Sequence, residues 1–295
     1  MVAREPLQAS VTREKWELVG SLGEMYGPSI LVRTMSVPRR MPSGGLWQYH
    51  SRSDHHSKVA CWGMLFDLLL ESPVLREHVS SGAVIFGLNH QMKDFKHDRD
   101  KDLDLVLARP REGSKAGLGF RELATSYALV LTSEEKKALA SLPNVRYADV
   151  GAVQLAMEAK ACMTEHSKSR PRLYDELNSS HETIHASADE AVAVGFVMVN
   201  MAEEFRSPSR TKITKHKQPG VTEKVIQKIG QMPRRTKPGE QGFDALAIVV
   251  VDCRNDGSPV RLVTKPPAPP VGDIYEYEMM VRRAAQLYAS RFRVL

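Results

Sequence analysis

The sequence predicts an α/β fold with one central mixed sheet flanked by helices. Two runs, at residues 191–201 and 245–252, are rich in Val and Ile and almost free of charge. Such runs are typical of central strands that are buried on both faces. Segments with helix signals precede, separate and follow these strands, and this order favours an α/β sandwich.

The first strong element is a helix predicted over residues 54–71. The run is apolar on nearly every side, which indicates a helix that is itself buried. Residues 1–53 before it contain a short helix-like stretch at 13–22 and then turn-rich sequence. We therefore predict an N-terminal extension over residues 1–53 and a single domain over 54–295.

Local signals place the later elements. Thr132 with Glu135 forms a capping box, which opens a helix that runs to about Leu142. Pro171 suits the first turn of the next helix. Asp273 and Glu276 begin the C-terminal helix, whose apolar stripe consists of Ile274, Tyr277, Val281, Ala284 and Tyr288. Further predictions are strands at residues 83–88, 103–108 and 150–162, a charged connection at 93–101, and a helix at 171–186.

Composition limits the class of protein. The 42% hydrophobic content of 295 residues supports a substantial core, and no run of about 18 apolar residues predicts a membrane span. The first residues lack the apolar stretch of a secretory signal. The three cysteines, Cys61, Cys162 and Cys253, are widely spaced, so we expect reduced thiols in a cytoplasmic protein and neither a disulfide nor a zinc framework.

The charge is uneven along the chain. Residues 206–237 carry ten Lys or Arg against the single acid Glu223, which leaves −3 for the rest of a chain with net charge +6. A basic segment of this kind suits a polyanion, although a solvated linker has the same composition. We predict a basic insertion at about 207–242 that interrupts the last two central strands.

Two predicted strands carry charged residues among apolar ones. On the first, Asp102 and Asp104 share a face opposite Leu103, Leu105 and Leu107, because side chains alternate along a strand. On the second, Glu158 and Lys160 share a face in the same way. Charges embedded in apolar strands need a partner or a metal ion. Side by side, the two strands would bring carboxylates next to an ammonium group.

Hydrolysis of a phosphodiester bond uses this set of groups. Carboxylate oxygens hold Mg²⁺, which lowers the pKa of a bound water and stabilises charge on the phosphate. A lysine beside the metal can orient or deprotonate that water, or neutralise charge in the transition state. The residues do not choose among these roles for Lys160.

Asp104 together with the triplet Glu158-Ala159-Lys160 resembles the PD-(D/E)xK nuclease superfamily, and type II restriction endonucleases in particular. The order of elements agrees: a buried helix, a strand with the aspartate, a strand with Glu-x-Lys, then a helix and further strands. The resemblance implies a restriction-endonuclease-like fold, Asp104 and Glu158 as ligands of Mg²⁺, and Lys160 as the catalytic lysine. No proline precedes Asp102 or Asp104, which departs from the family pattern.

Other residues compete for these roles or extend them. Asp149 is closer to Glu158 in sequence and is a rival for the aspartate position, although it precedes Gly151 in a turn-like stretch. Glu71 and Asp102 are additional candidate acids, and Glu71 could instead form an exposed polar stripe with Asp67. His181 and His185 lack the spacing of a zinc motif. Candidate DNA contacts are Lys168, Arg170, Arg172, Arg234, Arg235 and Lys237.

These observations predict a Mg²⁺-dependent endonuclease of double-stranded DNA that resembles a type II restriction enzyme. One active centre addresses one phosphodiester, so a double-strand cut favours a homodimer. The C-terminal helix face with Tyr277, Val281 and Tyr288 is a candidate for the contact, although packing on its own sheet would explain it equally well. The alternatives are a structure-specific repair or phage-defence nuclease of the same fold, a non-catalytic DNA-binding protein, or an interaction domain.

Overall fold

A computed structural model describes residues 25–42, 44–94, 98–209 and 212–294, so the helix predicted at residues 13–22 lies outside the described residues. The helices are α1 (Gly27–Met35), α2 (His55–Glu71), α3 (Pro73–Ser80), α4 (Phe120–Ser126), α5 (Ser133–Ser141), α6 (His166–Ser187), α7 (Gly220–Ile229) and α8 (Tyr277–Arg291). The strands are β1 (Arg39–Arg40), β2 (Leu46–Trp47), β3 (Ile85–Asp94), β4 (Arg99–Pro110), β5 (Val150–Cys162), β6 (Val192–Asn200), β7 (Glu204–Arg206), β8 (Ile213–Lys215), β9 (Ala245–Asp252) and β10 (Arg261–Val263).

The central sheet has six strands in the order β10-β9-β6-β5-β4-β3. Its middle strands β5, β6 and β9 are parallel to one another, whereas β3, β4 and β10 pair antiparallel with their neighbours. The fold is therefore a mixed α/β fold, as predicted. Val192 to Asn200 are buried throughout, which agrees with a strand covered on both faces.

Helices cover both faces of the sheet. On one face α1, α2 and α8 enclose a large apolar cluster, in which the Trp62 ring stacks on Phe120 at 4.7 Å between centroids and on Phe66 at 5.2 Å. On the other face α6 and α7 pack through Leu173 and Val225. Each apolar face is therefore buried by helices of the same chain.

Several predicted bounds are confirmed and others are wrong. The helix at 54–71, the capping box of Thr132 and Glu135, and the strands at 150–162 and 245–252 are confirmed. Within the connection predicted at residues 93–101, residues 93–94 and 99–101 are strand, because β3 and β4 form a long hairpin whose outer strand tolerates polar residues at the sheet edge. Helix α6 begins at His166, so Pro171 lies inside the helix and not in its first turn.

The N-terminal boundary of the packed domain lies before residue 54. All nine residues of α1 are buried, and Ile30, Leu31 and Met35 belong to the same cluster as α2. The sequence predicts only turns and an extension in the stretch directly before α2. Helix α1 was not predicted there, because a nine-residue helix with a proline at its start gives a weak periodic signal.

The basic segment 207–242 has structure of its own. It contains β8 and α7, and Val225 and Ile229 of α7 are buried in the layer with α6. The segment is therefore a packed crossover between β6 and β9 and not a flexible loop over its described length.

Helix α8 lies against its own sheet. Tyr277, Val281 and Tyr288 are buried there, and the Tyr288 hydroxyl lies 2.9 Å from His78 Nδ1. This face is thus buried against elements of its own chain, and the prediction that it forms a dimer contact was wrong. Ile274 is 51% exposed and does not extend the stripe.

Two expectations from composition can be compared with the structure. Cys61, Cys162 and Cys253 are buried, and none forms a disulfide. Among the described helices, none combines the length and the apolar character needed to cross a bilayer.

Asp67 fastens three elements to one another inside the core. It accepts hydrogen bonds from Tyr26 N at 2.8 Å, Gly27 N at 2.7 Å and the Tyr277 hydroxyl at 2.8 Å. Burial raises its pKa from 3.8 to about 7, although the three hydrogen bonds act in the opposite direction. The prediction of an exposed stripe with Glu71 was wrong for Asp67, because its side chain is fully buried.

The titration of Asp67 should be visible in the stability of the protein. Because its folded pKa is raised, the native state binds the proton more tightly than the unfolded chain between about pH 4 and pH 7. The free energy of unfolding should therefore fall as pH rises through this window, by up to about 4 kcal/mol from this group. Asp67→Asn should remove this slope in urea unfolding measured at several pH values. Identical slopes in the two proteins would contradict the assignment.

Candidate active site

The predicted acids meet where β4 and β5 separate. The two strands pair antiparallel up to Leu105 and Met157. One residue further on, the Asp104 carboxylate accepts a hydrogen bond from Ala159 N at 2.9 Å, and Asp104 N lies 3.4 Å from Glu158 Oε2. The side-chain contact replaces the next step of the backbone ladder, and it brings the Asp104 and Glu158 carboxylates together.

A local irregularity in β3 and β4 accompanies this separation. Leu103 lies in the layer with α6, whereas Leu105 lies in the layer with α2, so the alternation of β4 is broken at Asp104. On β3, Asn89 lies between the residues that pair with Leu103 and Leu105, and its φ of 46° is in the left-handed region. The common face predicted for Leu103, Leu105 and Leu107 was wrong, and so the common face predicted for Asp102 and Asp104 does not follow.

Glu158 and Lys160 form a partly buried ion pair on β5. Glu158 is 1% exposed, and Lys160 Nζ lies 2.5 Å from Glu158 Oε1 with 27% of the lysine side chain exposed. Among the described residues, Lys160 is the only polar partner of Oε1. A carboxylate oxygen can accept more than one such contact, so Oε1 can take a further ligand.

The site holds two neighbouring carboxylates, those of Asp104 and Glu158, beside the single ammonium group of Lys160. Burial and the neighbouring Asp104 carboxylate raise the pKa of Glu158, and Lys160 opposes this shift. Burial alone would lower the pKa of Lys160, but the carboxylates of Glu158 and Asp104 outweigh it and the net shift is upward. Lys160 therefore stays charged at neutral pH, and a second cation near the two carboxylates would relieve their repulsion.

The donor set fits a hard divalent cation. Two carboxylates that leave room for water and for a phosphate oxygen match the coordination preferred by Mg²⁺. Within the described residues, no group of three or more His, Cys, Asp or Glu is placed to hold a metal ion. Asp104 and Glu158 are therefore two carboxylates that could hold such a cation only if water or a phosphate oxygen completed its coordination.

The other candidate acids lie away from this pair. Asp149 is exposed just before the start of β5, nine residues from Glu158, which is roughly 30 Å along an extended strand. The rival assignment to Asp149 is thus wrong. Glu71 is exposed at the end of α2, about 15 Å along the helix from Cys61, the residue of α2 whose pKa responds to Asp104 and Glu158. Asp102 is exposed on β4.

The predicted cations fall into two groups at opposite ends of α6. Lys168, Arg170 and Arg172 lie in its first two turns, which follow directly after β5. Lys168 Nζ is 3.2 Å from Glu165, and Arg172 Nε is 2.6 Å from Glu176. Both side chains are more than 80% exposed and stay accessible to a polyanion.

The second group lies near the end of α6. Arg235 is 1% exposed and is bound to Asp189 at 2.7 Å and to His185. His185 is 19 residues after His166, so this region is about 28 Å along the helix from its start. The assignment of Arg235 to DNA binding was wrong, because its guanidinium is consumed by a buried network. Arg234 lies over the Tyr275 ring at 5.3 Å, and Lys237 is exposed.

Two histidines near the end of α6, His181 and His185, form hydrogen bonds with the loop at Gly242. His181 Nδ1 accepts from Gly242 N at 3.2 Å, and His185 Nε2 lies 2.8 Å from the Gly242 carbonyl oxygen. Burial lowers the pKa of His181 to about 4. Both rings are therefore structural, in agreement with the absence of a zinc spacing.

Sequence reasoning missed several neighbours of the site. Lys101 Nζ donates to the Glu176 carbonyl oxygen at 2.8 Å, and its charge opposes the upward shift of the Glu158 pKa. His56 on α2 is close enough for the Lys160 charge to lower its pKa. Lys101 lies near the start of β4 and could have been found by extending the alternation of side chains toward the beginning of that strand. His56 and Asn89 carry no signal in sequence, because only the packing of α2 and β3 brings them here.

Comparisons with known proteins add no relative. The chain matches no protein-family model, and neither the curated proteins nor the solved structures gave a significant match. The functional argument therefore depends on the geometry of the site.

Proposed function

We propose that the chain is a Mg²⁺-dependent endonuclease that hydrolyses phosphodiester bonds of double-stranded DNA. The observation that carries the proposal is the contact of Asp104 with Glu158 beside Lys160, in which two carboxylates share a single ammonium group. A structural ion pair has no need of a second carboxylate, whose repulsion it must overcome.

The order of elements supports the same proposal at the level of the fold. A buried helix, α2, precedes the antiparallel strands β3, β4 and β5, and α6 then leads to β6, which is parallel to β5. The aspartate is on β4 and the Glu-x-Lys triplet on β5. This is the order implied by the resemblance to PD-(D/E)xK nucleases, and it extends our proposal to a restriction-endonuclease-like fold and a sequence-specific, type II-like activity.

In this mechanism Asp104 and Glu158 would hold the metal. When bound, Mg²⁺ supplies a water of lowered pKa and a positive charge beside the phosphate oxygens. The Ala159 N–H bond fixes the orientation of the Asp104 carboxylate. The partly exposed Lys160 ammonium reaches from the buried pair toward solvent, where it can donate a hydrogen bond to the attacking water or to a phosphate oxygen.

The start of α6 provides a test of where DNA lies. Lys168 and Arg172 are four residues apart and therefore share a helix face. Replacing both with alanine should flatten the dependence of log affinity on log salt concentration by up to about 0.9 for each phosphate that the protein no longer neutralises. The matched control is Arg234→Ala with Lys237→Ala, at the far end of α6, for which we expect the wild-type slope. Equal effects of the two pairs would place DNA elsewhere.

Double-strand cleavage in one encounter requires two such centres, since each addresses one phosphodiester. We therefore propose a homodimer on DNA that joins through a surface other than the buried face of α8. Analytical ultracentrifugation with cognate DNA would measure this directly. A monomer that only nicks one strand would favour the alternative of a repair or phage-defence nuclease.

The activity is tested by incubating the protein with plasmid DNA and Mg²⁺ and sequencing the ends of any fragments. Discrete fragments with a shared end sequence are expected for a type II-like enzyme. Random ends would indicate a non-specific nuclease. Retardation of DNA without cleavage, across several divalent metals, would overturn the enzymatic proposal and favour a DNA-binding protein.

A further inference from the structure

A cavity opens where the start of α2 meets the β1–β2 hairpin and the end of α4. Its volume is about 310 Å³, and its lining includes Arg39, Arg40, Trp47, Tyr49, His56 and Tyr127. Pockets for small molecules measure roughly 300–1,000 Å³, so this one suits a compact ligand. Asp104, Glu158 and Lys160 are not among its lining residues, and the metal site proposed above does not account for it.

The charge on the cavity wall is positive and largely uncompensated. Three cationic residues line it, but its single carboxylate, Asp54, lies 2.7 Å from Lys58. In the described part of the chain no carboxylate pairs with Arg39 or Arg40. Arg39 Nη1 donates to the Tyr127 carbonyl oxygen at 2.8 Å and lies 2.8 Å from His55 Nδ1, which holds its guanidinium in place. Two arginines without a carboxylate partner beside a concave wall suit a phosphate group.

The start of α2 also favours an anion in this cavity. Asp54 makes no side-chain cap at the start of this helix, and its carboxylate lies 2.7 Å from Lys58, while the His55 N–H donates to Ser53 Oγ at 3.2 Å. Backbone N–H groups at the start of a 17-residue helix favour an anion.

Aromatic rings form another part of the cavity wall. Tyr49 lies 5.0 Å from the His56 ring between centroids, and the Arg206 guanidinium lies 5.7 Å from the centre of the Trp47 ring. Burial lowers the pKa of His56 to about 4, so its ring is neutral at pH 7. Aromatic faces beside cations are the surfaces on which nucleobases stack.

The aromatic wall is preformed. Asn255 Oδ1 accepts from Gln48 N at 3.1 Å and from Tyr49 N at 2.9 Å, and Asn255 Nδ2 donates to the Tyr49 carbonyl oxygen at 3.0 Å. These bonds pin residues 48–49 to the loop after β9. A ligand would therefore meet a wall that needs little ordering on binding.

We propose that this cavity binds one nucleotide, with the phosphate at Arg39 and Arg40 and the base against Trp47 and Tyr49. His56 lines the cavity and belongs to α2, which packs against β5, the strand of Glu158 and Lys160, so the nucleotide in DNA would adjoin the phosphodiester that is cut, a placement that rests on the proposed nuclease function. A base stacked inside a duplex cannot reach such a pocket, so the base would be terminal or extruded. A free mononucleotide offers the same chemistry.

Equilibrium dialysis without metal tests the pocket independently of cleavage. The probes are dAMP and dTMP, with deoxyribose 5-phosphate, inorganic phosphate and the unphosphorylated nucleosides for comparison. We expect the mononucleotides to bind at least tenfold more tightly than any of the partial ligands. Arg39→Ala with Arg40→Ala should weaken mononucleotide binding by about tenfold or more, and Trp47→Ala by about fivefold or more. Arg261→Ala, an exposed arginine on β10, is the matched control and should bind normally.

The exposed Arg40→Ala single variant guards against misfolding of the double variant, and it should also weaken mononucleotide binding severalfold. No mononucleotide binding by the wild-type protein, or equal binding by all variants, would overturn the proposal. Displacement of dAMP by duplex DNA would assign the pocket to a nucleotide of the substrate, and its retention would assign the pocket to a free nucleotide. Plasmid cleavage without mononucleotide binding would refute this pocket alone, whereas binding without cleavage would refute only the nuclease.

Discussion

Replacement of Glu158 with glutamine is expected to abolish DNA cleavage in Mg²⁺ while the protein remains folded. The amide keeps the shape of the side chain but removes the negative charge that would hold the metal. The loss of several kcal/mol of transition-state stabilisation corresponds to about 10³-fold or more in rate. Asp104→Asn should have the same effect on rate, because Asp104 supplies the other carboxylate. DNA binding in Ca²⁺ should survive in both variants.

The stability of these variants separates a metal site from a structural one. Asn at position 104 can still accept from Ala159 N, and it relieves the repulsion that raises the pKa of Glu158. Asp104→Asn should therefore unfold at the same urea concentration as the wild type or at a higher one. Asp149→Asn, an exposed acid at the other end of β5, is the matched control and should cut normally. Ordinary cleavage by Glu158→Gln would disprove the proposed site.

Lys160→Gln should lower the rate of cleavage by about 10²–10³-fold with little change in DNA affinity, because its ammonium acts on charge that develops in the reaction. Single-turnover rates at saturating DNA measure this effect directly. Lys115→Gln, an exposed lysine outside the site, serves as the control. A folded Lys160→Gln protein with ordinary rates would make the Glu-x-Lys triplet a coincidence.

The same substitution has a structural consequence that can be isolated. Without Lys160, Glu158 is left as a buried charge with no cationic partner at 2.5 Å. Breaking a fully buried pair costs about 3–5 kcal/mol, and a smaller loss is expected here because Lys160 is partly exposed. Adding Glu158→Gln to Lys160→Gln should restore part of the lost stability without restoring activity. Additive losses would show that the two side chains do not interact.

Much of the site was predictable because its signal is local. Glu158 and Lys160 sit in an apolar strand whose bounds at residues 150–162 were predicted and confirmed. Asp104 was preferred to Asp149 because it was predicted to open a hydrophobic strand, but in the structure Asp104 lies within β4 and it is Asp149 that directly precedes a strand, β5. The contact between Asp104 and Ala159 was not predictable, because it depends on the register of β4 against β5 and on the end of their ladder.

The predicted DNA contacts show the limit of charge as a signal. Arg234, Arg235 and Lys237 are adjacent in the most basic stretch of the chain, yet Arg235 is buried against His185 and Asp189. Net charge describes a segment, whereas accessibility belongs to each side chain in its packing. The same holds for α8, whose apolar stripe could face a partner or its own sheet until the neighbouring elements were placed.

Local sequence was enough to predict the buried helix α2, the apolar central strands and the two strands with embedded charges. These elements follow from the periodicity and the local composition of the chain. Which residues meet depends on the fold, because Asp104 and Glu158, or Tyr49 and Asn255, are far apart in the chain. Strand register joins the first pair, and packing of the loop after β9 joins the second, so the candidate active site and the cavity beside α2 both depend on long-range contacts.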